Sequence, residues 1–124
     1  HESTTIEGIN IFGSPYTPQF CGWAFMKDRG KLDPYWQQIP ENIDILITHG
    51  PAFGILDTVG DNNVGCEELL KKIEEHPPKI HLFGHIHRHS KTIRNIQNTE
   101  VKFFNCAVVN GKYNIKKQPH IFNF

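Results

Sequence analysis

Apolar and β-branched positions from Thr4 to Phe12 lead into Gly13-Ser14-Pro15, a pattern that predicts one strand ending in a turn-rich loop. Tyr16 to Phe25 mixes Pro, Gly and aromatic residues, as expected of a loop anchored by its rings, and Leu32 to Ile39 has the length of a short helix stopped by Pro40. The run Ile43-Asp44-Ile45-Leu46-Ile47 is almost continuously apolar, the mark of a strand covered on both faces in an α/β sheet. A helical period then takes over. From Val64 to Glu75, Cys66, Leu69, Leu70 and Ile73 fall on one side, while Glu67 and Glu68 stand near the positive end of the helix dipole, each four residues before a lysine, Lys71 and Lys72. Pro77-Pro78 ends the helix and Lys79 to Phe83 predicts a short strand. Alternation returns in Ser90 to Ile96, Val101 to Phe104 and near Ile121 to Phe124, with a turn at Gln97-Asn98-Thr99.

Two of these elements are strands joined by a single helix, so they are expected to be parallel and close together in one sheet, with a right-handed crossover. Each is followed at once by histidine: Thr48-His49-Gly50-Pro51 after the first and Gly84-His85-Ile86-His87 after the second. Ligands of α/β sheets gather beyond the carboxyl ends of the strands, where both motifs are expected to sit.

The histidines carry the candidate chemistry. His85 and His87 are two residues apart and face the same side of an extended backbone, about 6–7 Å apart along the chain. A bare His-x-His is more often a pair of surface histidines, and a lone His49 more often caps a strand end. Their conjunction changes this: three imidazoles in one crevice suit a borderline transition metal such as Mn, Fe, Zn, Ni or Co. His81 and His89 read as packed or solvent-facing, and His76 as a residue favoured by the helix dipole. Asp57 and Asp61 read as acidic turn formers, with a place on a substrate loop as the alternative. Tyr16, Phe20, Trp23 and Phe25 read as loop anchors before pocket walls.

Composition narrows the classes. The 124 residues suit one domain. Thirteen Lys and Arg balance thirteen Asp and Glu, which leaves no electrostatic footprint for nucleic acid or an anionic membrane. No apolar stretch approaches the roughly 18 residues of a membrane span, and no signal pattern opens the chain, so a cytoplasmic protein is expected. Cys21, Cys66 and Cys106 are expected to be reduced, buried small hydrophobes. The chain starts at His1 and its one methionine is Met26, so it is expected to be a fragment, a processed chain or a trimmed one.

Ile47-Thr48-His49-Gly50-Pro51 and Phe83-Gly84-His85-Ile86-His87 resemble the last two metal-binding motifs of the calcineurin-like metallophosphoesterases. The segments Ile11 to Pro18, Gly22 to Phe25, Ile39 to Leu46 and Gly65 to Leu70 are similar to the metallophosphoesterase-domain-containing branch, and the likeness runs to about Asn105. The resemblance implies the C-terminal half of a layered α-β-β-α sandwich, residues 1–124 being one partial domain. It implies two divalent transition-metal ions, with His49 and His85 on one and His87 on the other. It also implies a phosphodiester or phosphomonoester substrate, nucleotides being one candidate class, with no nucleic-acid polymer or membrane as partner. The family's upstream Asp-x-His, Gly-Asp-x-x-Asp and Gly-Asn-His-Glu or Gly-Asn-His-Asp motifs are absent; His1-Glu2 is a coincidental match, and Arg88-His89-Ser90 stands where Glu-Gly-Tyr is expected. The chain by itself is thus expected to be a poor or inactive phosphoesterase, since a bridging carboxylate is missing, and to aggregate through uncovered sheet surface. The competing reading is a non-catalytic metal-binding or interaction remnant.

Overall fold

The N-terminal β-branched run is cut in two at Glu7-Gly8. In the computed structural model, which describes residues 1–88 and 90–123, Glu2–Ile6 (β1) and Ile9–Ser14 (β2) form an antiparallel hairpin. Glu7 and Gly8 both have positive φ, 50° and 81°, the backbone sign that a tight two-residue hairpin turn requires. The single strand expected from Thr4 to Phe12 is therefore two, because Gly8 supplies a turn that the β-branched pattern hides.

Thr17–Pro18 (β3) and Met26–Lys27 (β4) form a small parallel ribbon, and Asp33–Trp36 (α1) is a single turn, shorter than the expected Leu32 to Ile39. Ile45–Thr48 (β5) follows, then Thr58–Val59 (β6) and Asn62–Asn63 (β7) as a second ribbon. Glu67–Glu75 (α2) starts three residues later than its apolar pattern because Cys66 is its extended N-cap residue. Ile80–Phe83 (β8), Ser90–Ile96 (β9) and Thr99–Asn105 (β10) complete a six-stranded mixed sheet of order β1-β2-β5-β8-β10-β9. The four central strands are parallel and each outer pairing is antiparallel. The two strands expected to be parallel and close together in one sheet, β5 and β8, are direct neighbours, with α2 as their crossover.

Register places Phe12, Leu46, His81 and Phe103 abreast on one face. That face meets Trp36 of α1 and Leu69 and Ile73 of α2, all essentially buried, in one core cluster. Each fully buried Leu or Ile there contributes about 1.5–3 kcal/mol relative to exposure. Glu67 and Glu68 do not pair with Lys71 and Lys72: Glu67 takes Arg29 at 2.5 Å, Glu68 accepts the Leu32 N–H at 2.9 Å, and Lys72 is buried. The expected pairs lose to contacts that tie α2 to the loop before α1.

On the opposite face Gly13, Ile47, Leu82 and Phe104 stand abreast. Ile47 is 42% exposed, so β5 is not covered on both faces as its composition suggested. Phe104 is sheltered by the C-terminal segment, where Phe122 stacks on it at 5.0 Å. Ile121, Phe122 and Asn123 join no ladder, so the strand expected there is instead an irregular segment held by a ring contact. Phe124 and His89 lie outside the described residues. All three cysteines are free thiols, but Cys66 alone is buried; Cys21 and Cys106 are exposed. Among the described residues no helix is long and apolar enough to cross a membrane.

Candidate metal centre

Parallel pairing of Ile47 with Leu82 brings the carboxyl ends of β5 and β8 side by side. The backbone then locks the two histidine loops together: the His49 N–H donates to the Ser14 carbonyl at 3.2 Å, and the Gly84 N–H donates to the His49 carbonyl at 3.0 Å. His85 is held at φ 65°, a left-handed conformation that a non-glycine residue adopts at a cost of about 1–2 kcal/mol. Such strain persists where surrounding structure enforces it, often at functional sites. Gly50 is needed between the loops, since a Cβ there would stand 2.8 Å from Thr17 Oγ1 and beside the His85 ring.

The result is that His49 Nε2 and His85 Nδ1 face each other at 3.1 Å, with ring centroids 4.7 Å apart. Burial lowers the pKa of His49. The His85 pKa is lowered first by burial and then by the charges that His49 and His87 would carry. Both imidazoles therefore favour the neutral form, which keeps a ring nitrogen lone pair available to a metal. The spacing fits as well: two nitrogens bound to one ion at about 2.0–2.1 Å, subtending roughly 90–110°, stand about 2.9–3.4 Å apart.

His87 lines the same cavity, but its ring is edge-on to Tyr113 at 4.9 Å. Among the described residues no group of three or more His, Cys, Asp or Glu is placed to hold one ion. The site is thus a convergent pair of nitrogens with a third imidazole on the adjoining wall.

The cavity measures about 680 Å³, a volume that suits a small organic ligand. Phe20 and Trp23 line it edge to face at 5.7 Å, each more than half exposed, and the Phe20 ring lies 5.9 Å from that of His85. Loop anchoring falls instead to Tyr16, whose ring lies 4.0 Å from that of Tyr35. Arg29 and Tyr113 also line the cavity, and neither carries a sequence signal that would single it out. Arg29 is tied down by the Gly65 and Val64 carbonyls at 2.7 and 2.8 Å. Asp57 is no site carboxylate: buried, its Oδ2 accepts the Gly54 and Gly65 N–H groups at 2.9 and 2.8 Å and staples the loop between β5 and α2. Asp61 is exposed.

His81 is buried in the sheet row, the packed one of the two placements that the sequence left open. Its Nε2 lies 2.8 Å from Thr48 Oγ1, and the Thr48 hydroxyl donates to the Gly50 carbonyl at 2.6 Å. With that proton committed, the hydroxyl accepts from His81, which fixes the tautomer with hydrogen on Nε2. Nδ1 is left buried and without a hydrogen-bond partner among the described residues, a cost of about 1–3 kcal/mol. Burial pushes the His81 pKa down to about 3.

A UPF0046 protein of Caenorhabditis elegans is 37% identical over 122 residues, 98% of this chain and 41% of the relative. Human metallophosphoesterase domain-containing protein 1 is 44% identical over 108 residues, 84% of this chain and 33% of the relative. The chain is a relative of the metallophosphoesterase-domain-containing proteins. It spans about a third to two-fifths of the length of these relatives. No protein-family model matches the chain. A solved structure shares the fold over 86% of this chain and 44% of its own length, with a TM-score of 0.54 at 17% identity. The likeness to the human protein takes in 84% of this chain, a stretch long enough to include both histidine loops.

Proposed function

We propose that the chain carries part of a metal-dependent phosphoesterase centre, in which His49 and His85 bind one divalent transition-metal ion and His87 contributes to a second. The observation that supports this most directly is the 3.1 Å approach of His49 Nε2 and His85 Nδ1 at the ends of two adjacent parallel strands. Mn, Fe, Zn, Ni and Co all suit imidazole donors. Bound ions would supply Lewis-acid charge toward a phosphoryl group and lower the pKa of a water. The chain's own residues do the rest: the neutral imidazoles bind, Gly50 permits close approach of the loops, and Phe20, Trp23 and Tyr113 wall the cavity in which a phosphoester would sit. Its substrate is read as a small phosphodiester or phosphomonoester, with nucleotides as one candidate class. Residues 1–124 are read as one partial domain, the C-terminal half of a layered α-β-β-α sandwich. The uncovered Ile47 face is where a second layer would pack. A cytoplasmic location accords with three free cysteines.

A non-catalytic metal-binding remnant is the second reading. It is favoured by one feature: among the described residues no carboxylate joins the imidazoles. The experiment that decides is hydrolysis of an activated phosphodiester with added manganese. It compares the 124-residue chain with a version joined to the three absent upstream motifs and with His85→Ala in that longer version. Turnover that requires both the added motifs and His85 supports the enzyme; manganese binding without turnover in every version supports the remnant.

A further inference from the structure

We propose that the buried His81 is a positioning residue for His49: through the Thr48 hydroxyl it locks the Thr48–Gly50 turn on which the His49 imidazole faces His85. This rests on reading His49 and His85 as metal ligands. The relay is short and fully enclosed. His81 sits at the centre of the row Phe12, Leu46, His81, Phe103, where every other member is apolar. Its N–H reaches Thr48 Oγ1 at 2.8 Å, and the same hydroxyl closes on the Gly50 carbonyl at 2.6 Å, so one oxygen bridges the residues on both sides of His49. Packing alone does not explain the imidazole. A phenylalanine would match its neighbours and remove the orphaned Nδ1, so the polar ring is retained at a cost that the bond to Thr48 offsets only in part. Nor does β5 need the bond to stay in the sheet, because it is paired on both sides, with β2 and β8. The His49 N–H and carbonyl are already held by Ser14 and Gly84, and what the bond adds is a side-chain restraint on the Thr48–Gly50 turn that carries the imidazole. Groups that bond a metal ligand directly typically govern affinity by about 10–100-fold, and His81, acting one residue removed through Thr48, is expected at the lower end of that range.

The test uses the whole chain and two readouts. One is cobalt(II) affinity, and the other, taken without metal, is the position of the His49 ring from its proton resonance and its cross-relaxation to His85. His81→Phe is expected to weaken cobalt binding about tenfold or more, to shift the His49 resonance and to weaken its cross-relaxation to His85, while the unfolding midpoint is unchanged or higher. His81→Gln places an N–H near the Nε2 position and is expected to restore both readouts. Unchanged affinity and an unchanged His49 ring in His81→Phe would overturn the proposal, as would His81→Gln behaving no better than His81→Phe. Should His81→Phe fail to fold, Thr48→Val and Thr48→Ser decide in its place: loss with valine and retention with serine support the relay, and equal behaviour overturns it. If the unmodified chain binds no cobalt, the ligand reading fails, and the metal-free contrast between His81→Phe and His81→Gln still decides whether His81 positions His49.

Discussion

His49 Nε2 and His85 Nδ1 stand 3.1 Å apart although 36 residues separate them in the chain. The approach is set by backbone and not by an ion pair: β5 and β8 pair in parallel, and the Gly84 N–H grips the His49 carbonyl. If this nitrogen pair is a metal half-site, His49→Ala and His85→Ala should each weaken manganese or cobalt binding by about a hundredfold or more, beyond what loss of a supporting group does. Isothermal titration against the unmodified chain checks this. Equal affinity in either variant would remove that histidine from the site.

Activity should depend on more than the three histidines. Neutral imidazoles cannot offset the repulsion between two closely spaced dications, and the Gly-Asp-x-x-Asp motif to which the resemblance assigns the bridging carboxylate does not occur in the 124 residues. The chain by itself is expected to hydrolyse an activated phosphodiester at a negligible rate even with saturating manganese. Metal-dependent turnover comparable with that of the version bearing the upstream motifs would refute this.

Acid should destabilise the fold through His81. Its folded-state pKa is depressed to about 3 from an ordinary value of 6.5, so between these limits the unfolded chain binds the proton more readily. The stability is present above pH 6.5 and is lost progressively as pH falls toward 3, on the order of 4–5 kcal/mol across the full window. Urea unfolding at pH 7, 5.5 and 4 measures the slope. His81→Phe should flatten it; a slope that survives the substitution would assign the effect elsewhere.

The loop between β5 and α2 leaves no room at Gly65. A Cβ there would run into the Ala52 carbonyl oxygen and stand 2.7 Å from the Phe53 nitrogen, against backbone that cannot swing aside. Gly65→Ala is expected to cost about 1–3 kcal/mol, as over-packing does. Asp57→Ala should cost a similar amount by stranding the Gly54 and Gly65 N–H groups. Denaturant midpoints check both, and neutral substitutions would mean that the loop relaxes more easily than its packing implies.

Periodicity carried the centre of this fold well. The β5, α2 and β8 segments, their parallel arrangement and the buried side of α2 at Leu69 and Ile73 were all legible, because long apolar runs between turn residues leave few alternatives. Glu7 was not legible as a turn residue, since glutamate rarely takes positive φ and only Gly8 marked the break. Burial of one face of β5 was overestimated: an apolar sequence states what a strand tolerates, whereas the exposure of Ile47 depends on what lies opposite. The approach of His49 to His85 was foreseeable from motif position. The turn of His87 toward Tyr113 was not, because Tyr113 arrives from an irregular segment with no period to read. The Thr48–His81 bond was likewise invisible, being a matter of register between strands and not of spacing along one.

The left-handed backbone at His85 sets stability and chemistry against each other at a single codon. Glycine would relax that φ of 65° and remove a strain of about 1–2 kcal/mol, while deleting the imidazole that meets His49. A library of variants selected only for resistance to heat would therefore drift toward glycine at position 85, and one selected for metal retention would hold histidine there against the same pull. Sequencing the two populations would show whether that backbone angle is incidental to the turn or maintained for what the side chain does.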